Sequence, residues 1–259
     1  MTVLAADIGN SHTVIGILQQ GEVAADWRVS TDERRTSDEW AVLVRGLVAG
    51  ALDEADLTGI AVCSTVPAVL HEWREMLTAH FADVPAVVVE PGIRTGVPVL
   101  MDNPREVARP HHQRARRGTP LRGAHGGGRL RHRHHVRRGQ RPGEYIGGAI
   151  APGLEISLEA LGRRGAQLRK VEILRPRNVI AKNTVEALQS GMLYGYSSMV
   201  DGLTTRMLAE LGEPSGSVNV VATGHMAPIV LDECGTLTSF APHLTLIGLE
   251  IVFHRNAPA

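Results

Sequence analysis

The sequence predicts an α/β protein of two similar lobes with a cleft between them, and three observations predict it. The first 90 residues set short β-branched runs around glycine turns and follow them with helix-like stretches. The second half returns to strand, glycine turn and helix, although no sequence repeat is strong enough to demonstrate duplication. With 259 residues and 43% hydrophobic content, the chain is long enough to bury a core in each of two lobes. The expected division is 1–115 and 116–259.

Thr2 to Asp7 and Thr13 to Leu18 are apolar runs joined through Ile8, Gly9 and Asn10, the pattern of a hairpin. Ala24 to Val29 supplies a third strand. Ser37 with Asp38 and Glu39 resembles a helix start before Trp40 to Leu52. Gly59 to Ser64 reads as a buried strand, Ala68 to Phe81 as an amphipathic helix and Ala86 to Glu90 as another strand. Further on, Tyr145 to Ala151 is a glycine-rich strand pattern, Asn183 to Leu211 has helical spacing, and Val218 to Ala222 makes a strand ending at Thr223 and Gly224.

No apolar run reaches the roughly 18 residues of a membrane helix, and Met1 to Asp7 lacks the features of a signal peptide, so the expectation is a cytoplasmic protein with no membrane partner. Cys63 and Cys234 are too few for a disulfide framework and lack metal-ligand spacing, and they read as buried or idle thiols. The net charge of zero hides an imbalance. Residues 108–142 hold 11 of the 27 basic residues, six of the 12 histidines and no acid, leaving 16 basic against 27 acidic residues elsewhere. Such a block could bind nucleic acid, and His132, His134 and His135 could hold a metal. It has no aromatic residue to stack a base and no zinc-finger spacing, so no nucleic-acid partner is expected.

The most informative motif is Asp7, Ile8, Gly9, Asn10, Ser11, His12, Thr13, an acid and a glycine turn between two strands. Glycine lets backbone N–H groups approach a phosphate, Asn10, Ser11 and Thr13 add donors, and Asp7 could hold a hydrated Mg²⁺ that bridges phosphate oxygens. In isolation the pattern is weak and a plain hairpin turn is the better explanation. Taken with TGVPVLMDNPREV, GEYIGGAIAPGLEISLEAL and KNTVEALQSGMLYG, in that order, it resembles the type III pantothenate kinase family. The resemblance implies two ribonuclease-H-like lobes of the actin-like ATPase superfamily with ATP in the interlobe cleft. It implies Asp7 to Val14 as the first ATP loop, Gly224 in the adenosine-side turn, and Thr184 and Met101 on the pantothenate side. His225 stands where the family has a second glycine, and Met101 where many relatives have tyrosine.

Two further family motifs belong within 108–142 and are missing. After DNPREV the family has Gly-x-Asp-Arg, whose aspartate is the proposed general base; this chain has Ala108, Arg109, Pro110, His111. Later the family has Asp-Phe-Gly-Thr-Ala, whose aspartate holds a monovalent cation; here stand Gly128, Arg129, Leu130, Arg131, His132. A displaced reading frame accounts for both. Shifted by one nucleotide, the codons from Ala108 can spell Pro-Asp-Arg-Ile-Ile-Asn-Ala-Leu. Those from His125 can spell Thr-Ala-Ala-Val-Asp-Phe-Gly-Thr-Ala-Thr-Thr-Phe-Asp-Val-Val-Ser-Ala, directly before GEYIGG. The excess of arginine over two lysines suits a GC-rich gene, in which such frames yield Arg, His, Gly and Pro.

The resemblance implies ATP-dependent phosphorylation of pantothenate with Mg-ATP and a potassium or ammonium ion, by a homodimer. The written chain has no general base: Asp102 and Glu106 suit a scaffold role, and His111 and His112 lie inside the displaced stretch. Little or no activity is expected of it, and 108–142 is expected to be disordered or misfolded. The alternatives are a catalytically dead dimeric scaffold whose basic segment binds nucleic acid, and another sugar or carboxylate kinase of the superfamily.

Overall fold

The computed structural model describes residues 1–97, 123–125, 129–131, 145–164, 171–214 and 216–257. They fall into two compact units.

The first unit opens with β1 (Thr2–Ile8), β2 (His12–Gln19) and β3 (Glu22–Ser30), then α1 (Ser37–Val48), β4 (Gly59–Ser64), α2 (Pro67–His80) and β5 (Ala86–Val88). Its sheet has the order β3-β2-β1-β4-β5, antiparallel among the first three and parallel from β1 through β4 to β5. α1 starts where the sequence places it because Thr36 and Glu39 form a reciprocal capping box: the Glu39 N–H donates to Thr36 Oγ1 (3.4 Å) and the Thr36 N–H to Glu39 Oε2 (2.9 Å). α2 starts on Pro67, whose missing N–H is no loss in a first turn.

β1 and β4 are buried on both faces. On one face Leu4, Ala6, Ile8, Ile60 and Val62 meet α1 and α2 through Trp40, Val44, Trp73 and Met76. The Trp40 and Trp73 rings sit 5.3 Å apart at 55°, an arrangement worth about 0.5–1.5 kcal/mol beyond the area the rings bury. The opposite face carries Val3, Ala5, Ala61 and Cys63 and needs a cover of its own. α6 (Leu244–Asn256) supplies it with Leu246, Leu249, Val252 and Phe253. Residues 243–257 thus group with the first unit, whereas the sequence-based division at 115/116 would place them in the second. The fit is close, since a Cβ on Gly59 would fall 2.0 Å from the Phe253 ring.

The second unit contains β6 (Gly123–His125), β7 (Arg129–Arg131), β8 (Gly148–Ile150), α3 (Leu154–Arg164), α4 (Thr184–Glu210), β9 (Val221–Thr223), α5 (Ala227–Leu231) and β10 (Ser239–Phe240). Read from the other edge, its sheet order is β8-β7-β6-β9-β10. The directions repeat those of the first sheet: β6, β7 and β8 are antiparallel neighbours, and β9 and β10 extend β6 in parallel. Duplication that leaves no clear mark in the sequence is thus plain in the topology, and hairpin β6–β7 is the counterpart of β1–β2.

Six residues of 108–142, the stretch expected to be disordered or misfolded, are among those described. Gly123–His125 and Arg129–Arg131 pair in register with β9 and β8, because a backbone ladder needs no particular side chains. These strands are three residues each, against seven and eight in β1 and β2. The rest of 108–142 lies outside the described residues. The apolar cluster of this unit is built by helices, with Leu154, Met192, Leu193, Val200 and Val230 at its centre. Among the described residues no helix is long and apolar enough to cross a membrane.

Candidate functional site

Alternation along β1 sends Leu4, Ala6 and Ile8 toward α1 and α2 and leaves Val3, Ala5 and Asp7 on the α6 side. Asp7 is the last of that second set. It sits half-buried at the carboxyl end of the strand, in register with Val14 on β2 and Cys63 on β4. The Cys63 thiol donates to Asp7 Oδ1 at 3.2 Å. Beyond it the chain turns tightly, with the Gly9 N–H donating to the His12 carbonyl (3.0 Å). Asn10 and Ser11 are exposed at the tip and His12 is half-buried.

The end of β4 supports this turn. The Thr65 N–H donates to the Ile8 carbonyl (3.1 Å) and Thr65 Oγ1 to Asn10 Oδ1 (3.2 Å). Two parallel strands thus end side by side at an acidic, glycine-containing turn, the place where open α/β sheets bind ligands. Not all the residues expected here face outward. Ile8 is fully buried, and so is Thr13, whose hydroxyl is 2.9 Å from that of Thr31. Val14 is half-buried. Asp7 is partly and Asn10 and Ser11 are largely in water at the turn. A single half-buried carboxylate held by a thiol fits Mg²⁺, which takes one or two carboxylates and keeps its waters and phosphates. Sequence reading missed Cys63 and Thr65 as neighbours of this turn; the sole trace is a strand running into Ser64, Thr65, Val66 and Pro67, a strand-to-helix junction.

In the second unit, Gly224 follows β9 with φ +90°, a conformation that favours glycine. The next residue, His225, is exposed, and its Nε2 lies 3.1 Å from Glu155 Oε1 in the first turn of α3. Thr184 is the first residue of α4 and is exposed. The N-cap before it is Asn183, whose Oδ1 accepts from the Glu186 N–H at 2.9 Å. Arg177 grips the Glu186 carboxylate through two hydrogen bonds (2.6 and 3.0 Å), and this pairing lowers the Glu186 pKa. Cys234 is buried, and burial pushes its thiol up to about 12. Met101, Asp102, Glu106, His111, His112, His132, His134 and His135 lie outside the described residues.

The family model described as type III pantothenate kinase matches residues 3–108 and 140–206. The chain belongs to this family. It is 60% identical over 262 residues to a type III pantothenate kinase of Nocardioides sp., covering 99% of this chain and 100% of that protein. To the enzyme of that name from Thermobifida fusca it is 49% identical over 261 residues, covering 98% and 99%. Two solved structures share the fold alone. One is the (R)-2-hydroxyglutaryl-CoA dehydratase component A of Acidaminococcus fermentans, with TM-score 0.50, 14% identity and coverage of 97% and 96%. The other is a ROK family protein of Streptococcus pneumoniae in complex with sucrose, with TM-score 0.50, 12% identity and coverage of 98% of each chain. The fold is that of the actin-like ATPase superfamily, with a ribonuclease-H-like sheet in each unit.

The family match stops at 108 and resumes at 140, the limits of the basic block to within two residues. Yet the Nocardioides relative aligns end to end.

Proposed function

We propose that the family activity of this chain is transfer of the γ-phosphoryl group of ATP to the primary hydroxyl of pantothenate, the first step of coenzyme A synthesis. The observation that carries the reading is the Asp7 turn at the carboxyl end of β1, inside the first family-matched stretch. Phosphoryl transfer depends on positioning and charge neutralisation. The turn would present backbone N–H groups with Asn10 and Ser11 to the phosphates, and Asp7 would hold Mg²⁺, which supplies that neutralisation when bound. Gly224 would border the adenosine, and Thr184, with Met101, the pantothenate. A cytoplasmic location goes with ATP as substrate. A homodimer, which the family resemblance implies, would have exposed Ile150, Val179 and Ile180 on the second unit available to cover (77%, 65% and 86%).

We infer further that the polypeptide as written has little or no kinase activity, and that residues 108–142 are read in a displaced frame. Family-matched sequence resumes in the correct frame beyond the stretch, as two compensating single-nucleotide changes would leave it. The displaced frame returns the Gly-x-Asp-Arg base and the aspartate that would hold a potassium or ammonium ion. A positioned general base alone contributes about 10²–10⁴-fold. The test is a nucleotide read across codons 105–145, with pantothenate-dependent ADP release from mass-verified samples of the written and frame-restored chains. The restored chain should turn over at least about 10²-fold faster. Ordinary turnover by the written chain overturns the inactive reading; salt-sensitive binding of RNA or DNA without turnover would favour a scaffold.

A further inference from the structure

We propose that the last turn of α6 is a positioning clamp for the chain segment that leads into the substrate side of the site. The clamp is made by Asn256 and Arg255. The Asn256 carboxamide closes a ring with one residue's main chain: the Arg94 N–H donates to Oδ1 (3.0 Å) and Nδ2 donates to the Arg94 carbonyl (2.9 Å). Nδ2 also donates to the Val252 carbonyl (2.8 Å), which ties the carboxamide to its own helix. Arg255 Nη1 donates to the Thr95 carbonyl at 2.6 Å.

Gly96 makes room for this contact. Its φ is +73°, and a Cβ there would lie 1.1 Å from Arg255 Nη1, so the guanidinium occupies space that only glycine leaves. Thr95 Oγ1 then accepts from the Val97 N–H (3.3 Å), and both residues are buried. Residues 94–97 are thus held largely through main-chain groups by a helix that arrives 160 positions later. Asparagine is a mediocre helix former, so its use at the end of α6 is accounted for by the bonds it makes across the chain.

The clamp is the last described anchor before residue 98. From there the family match runs on to 108, through Met101 and the DNPREV stretch. Taking that stretch as the pantothenate side rests on the kinase reading above. A misplacement of about 1 Å at such a site costs on the order of 10²-fold, so an anchor set at Arg94 and Thr95 can govern pantothenate while leaving ATP alone.

The test uses full-length protein and the variants Asn256→Ala, Arg255→Ala and Arg255→Lys. In the written chain, hydrogen exchange should accelerate across 93–97 in both alanine variants, with exchange in β1 and β4 unchanged; slow exchange in both overturns the clamp. In the frame-restored chain, KM for pantothenate should rise about tenfold in the alanine variants, KM for ATP and kcat should stay within about twofold, and Arg255→Lys should recover part of the loss. An unchanged pantothenate KM, or a fall in kcat with both KM values raised together, overturns the positioning role. A restored parent with no turnover sinks the kinase reading; exchange in the written chain still decides whether the clamp exists.

Discussion

Cys63 donates its thiol proton to Asp7 across two adjacent parallel strands in register, Sγ to Oδ1 at 3.2 Å. If Asp7 holds Mg²⁺ as proposed, a buried neighbour that bonds one of its oxygens helps to set the orientation of the carboxylate. Cys63 is 1% exposed, so the bond is made away from bulk water.

Cys63→Ala should therefore weaken Mg²⁺-dependent ADP binding by about two- to tenfold, the range of one hydrogen bond worth about 0.5–1.5 kcal/mol. Cys63→Ser, which keeps a donor, should weaken it less. Asp7→Asn should remove most of the Mg²⁺ dependence and leave metal-free binding nearly intact. Calorimetric titration of the full chain with ADP, with and without Mg²⁺, reads all three. Equal Mg²⁺ dependence in Asp7→Asn and the parent would show that Asp7 does not serve the metal.

His225, next to Gly224, is tied to Glu155 at 3.1 Å, with both side chains partly in water (35% and 41% exposed). A nucleotide approaching Gly224 must coexist with that imidazole or break the pair. Surface pairs of this kind are worth about 0.2–1 kcal/mol, so His225→Gly should tighten ADP binding by up to about fivefold. Competition by unlabelled ADP against a fluorescent analogue measures it, and an affinity equal to that of the parent would mean the imidazole already stands clear.

Legibility in the sequence follows the range of the interactions involved. β1, β2, α1 and α2 could be read because each carries a local signal: β-branched apolar runs, a glycine turn, the helix start at Ser37 to Glu39, the amphipathic spacing of Ala68 to Phe81. The Asp7 turn could be read because its acid and glycine are neighbours in the chain. The placement of α6 could not, since Leu246, Leu249 and Phe253 state that a face is buried and not against which sheet. Cys63 beside Asp7 depends on the pairing of strands 56 residues apart. The burial of Thr13 was hidden for a related reason: its alternation phase puts it opposite Ile8, on the core side, although its sequence neighbours suggest a phosphate donor. β6 and β7 leave no periodic trace because glycine, arginine and histidine carry no strand pattern, and backbone pairing with β8 and β9 defines them.

Cys234 gives the second unit an alkaline limit. Burial comes first among the causes that push its thiol up to about 12, followed by the negative charges of Asp201 and Glu233. Tyr196, raised by burial and by Cys234, adds to the effect in the same direction. In the unfolded chain a thiol loses its proton near about 8.5. Between that pH and about 12 the folded state holds a proton that the unfolded state has released, so the unfolded state binds fewer protons and stability falls as pH rises. Below about 8.5 both states are protonated and the group contributes no pH dependence. The thermal midpoint should therefore drop between pH 8 and pH 10.5, and by less in Cys234→Ser, whose hydroxyl does not titrate in this range. Calorimetric scans of both proteins across that window provide the check. Parallel pH profiles for the two would mean that groups other than Cys234 govern alkaline unfolding.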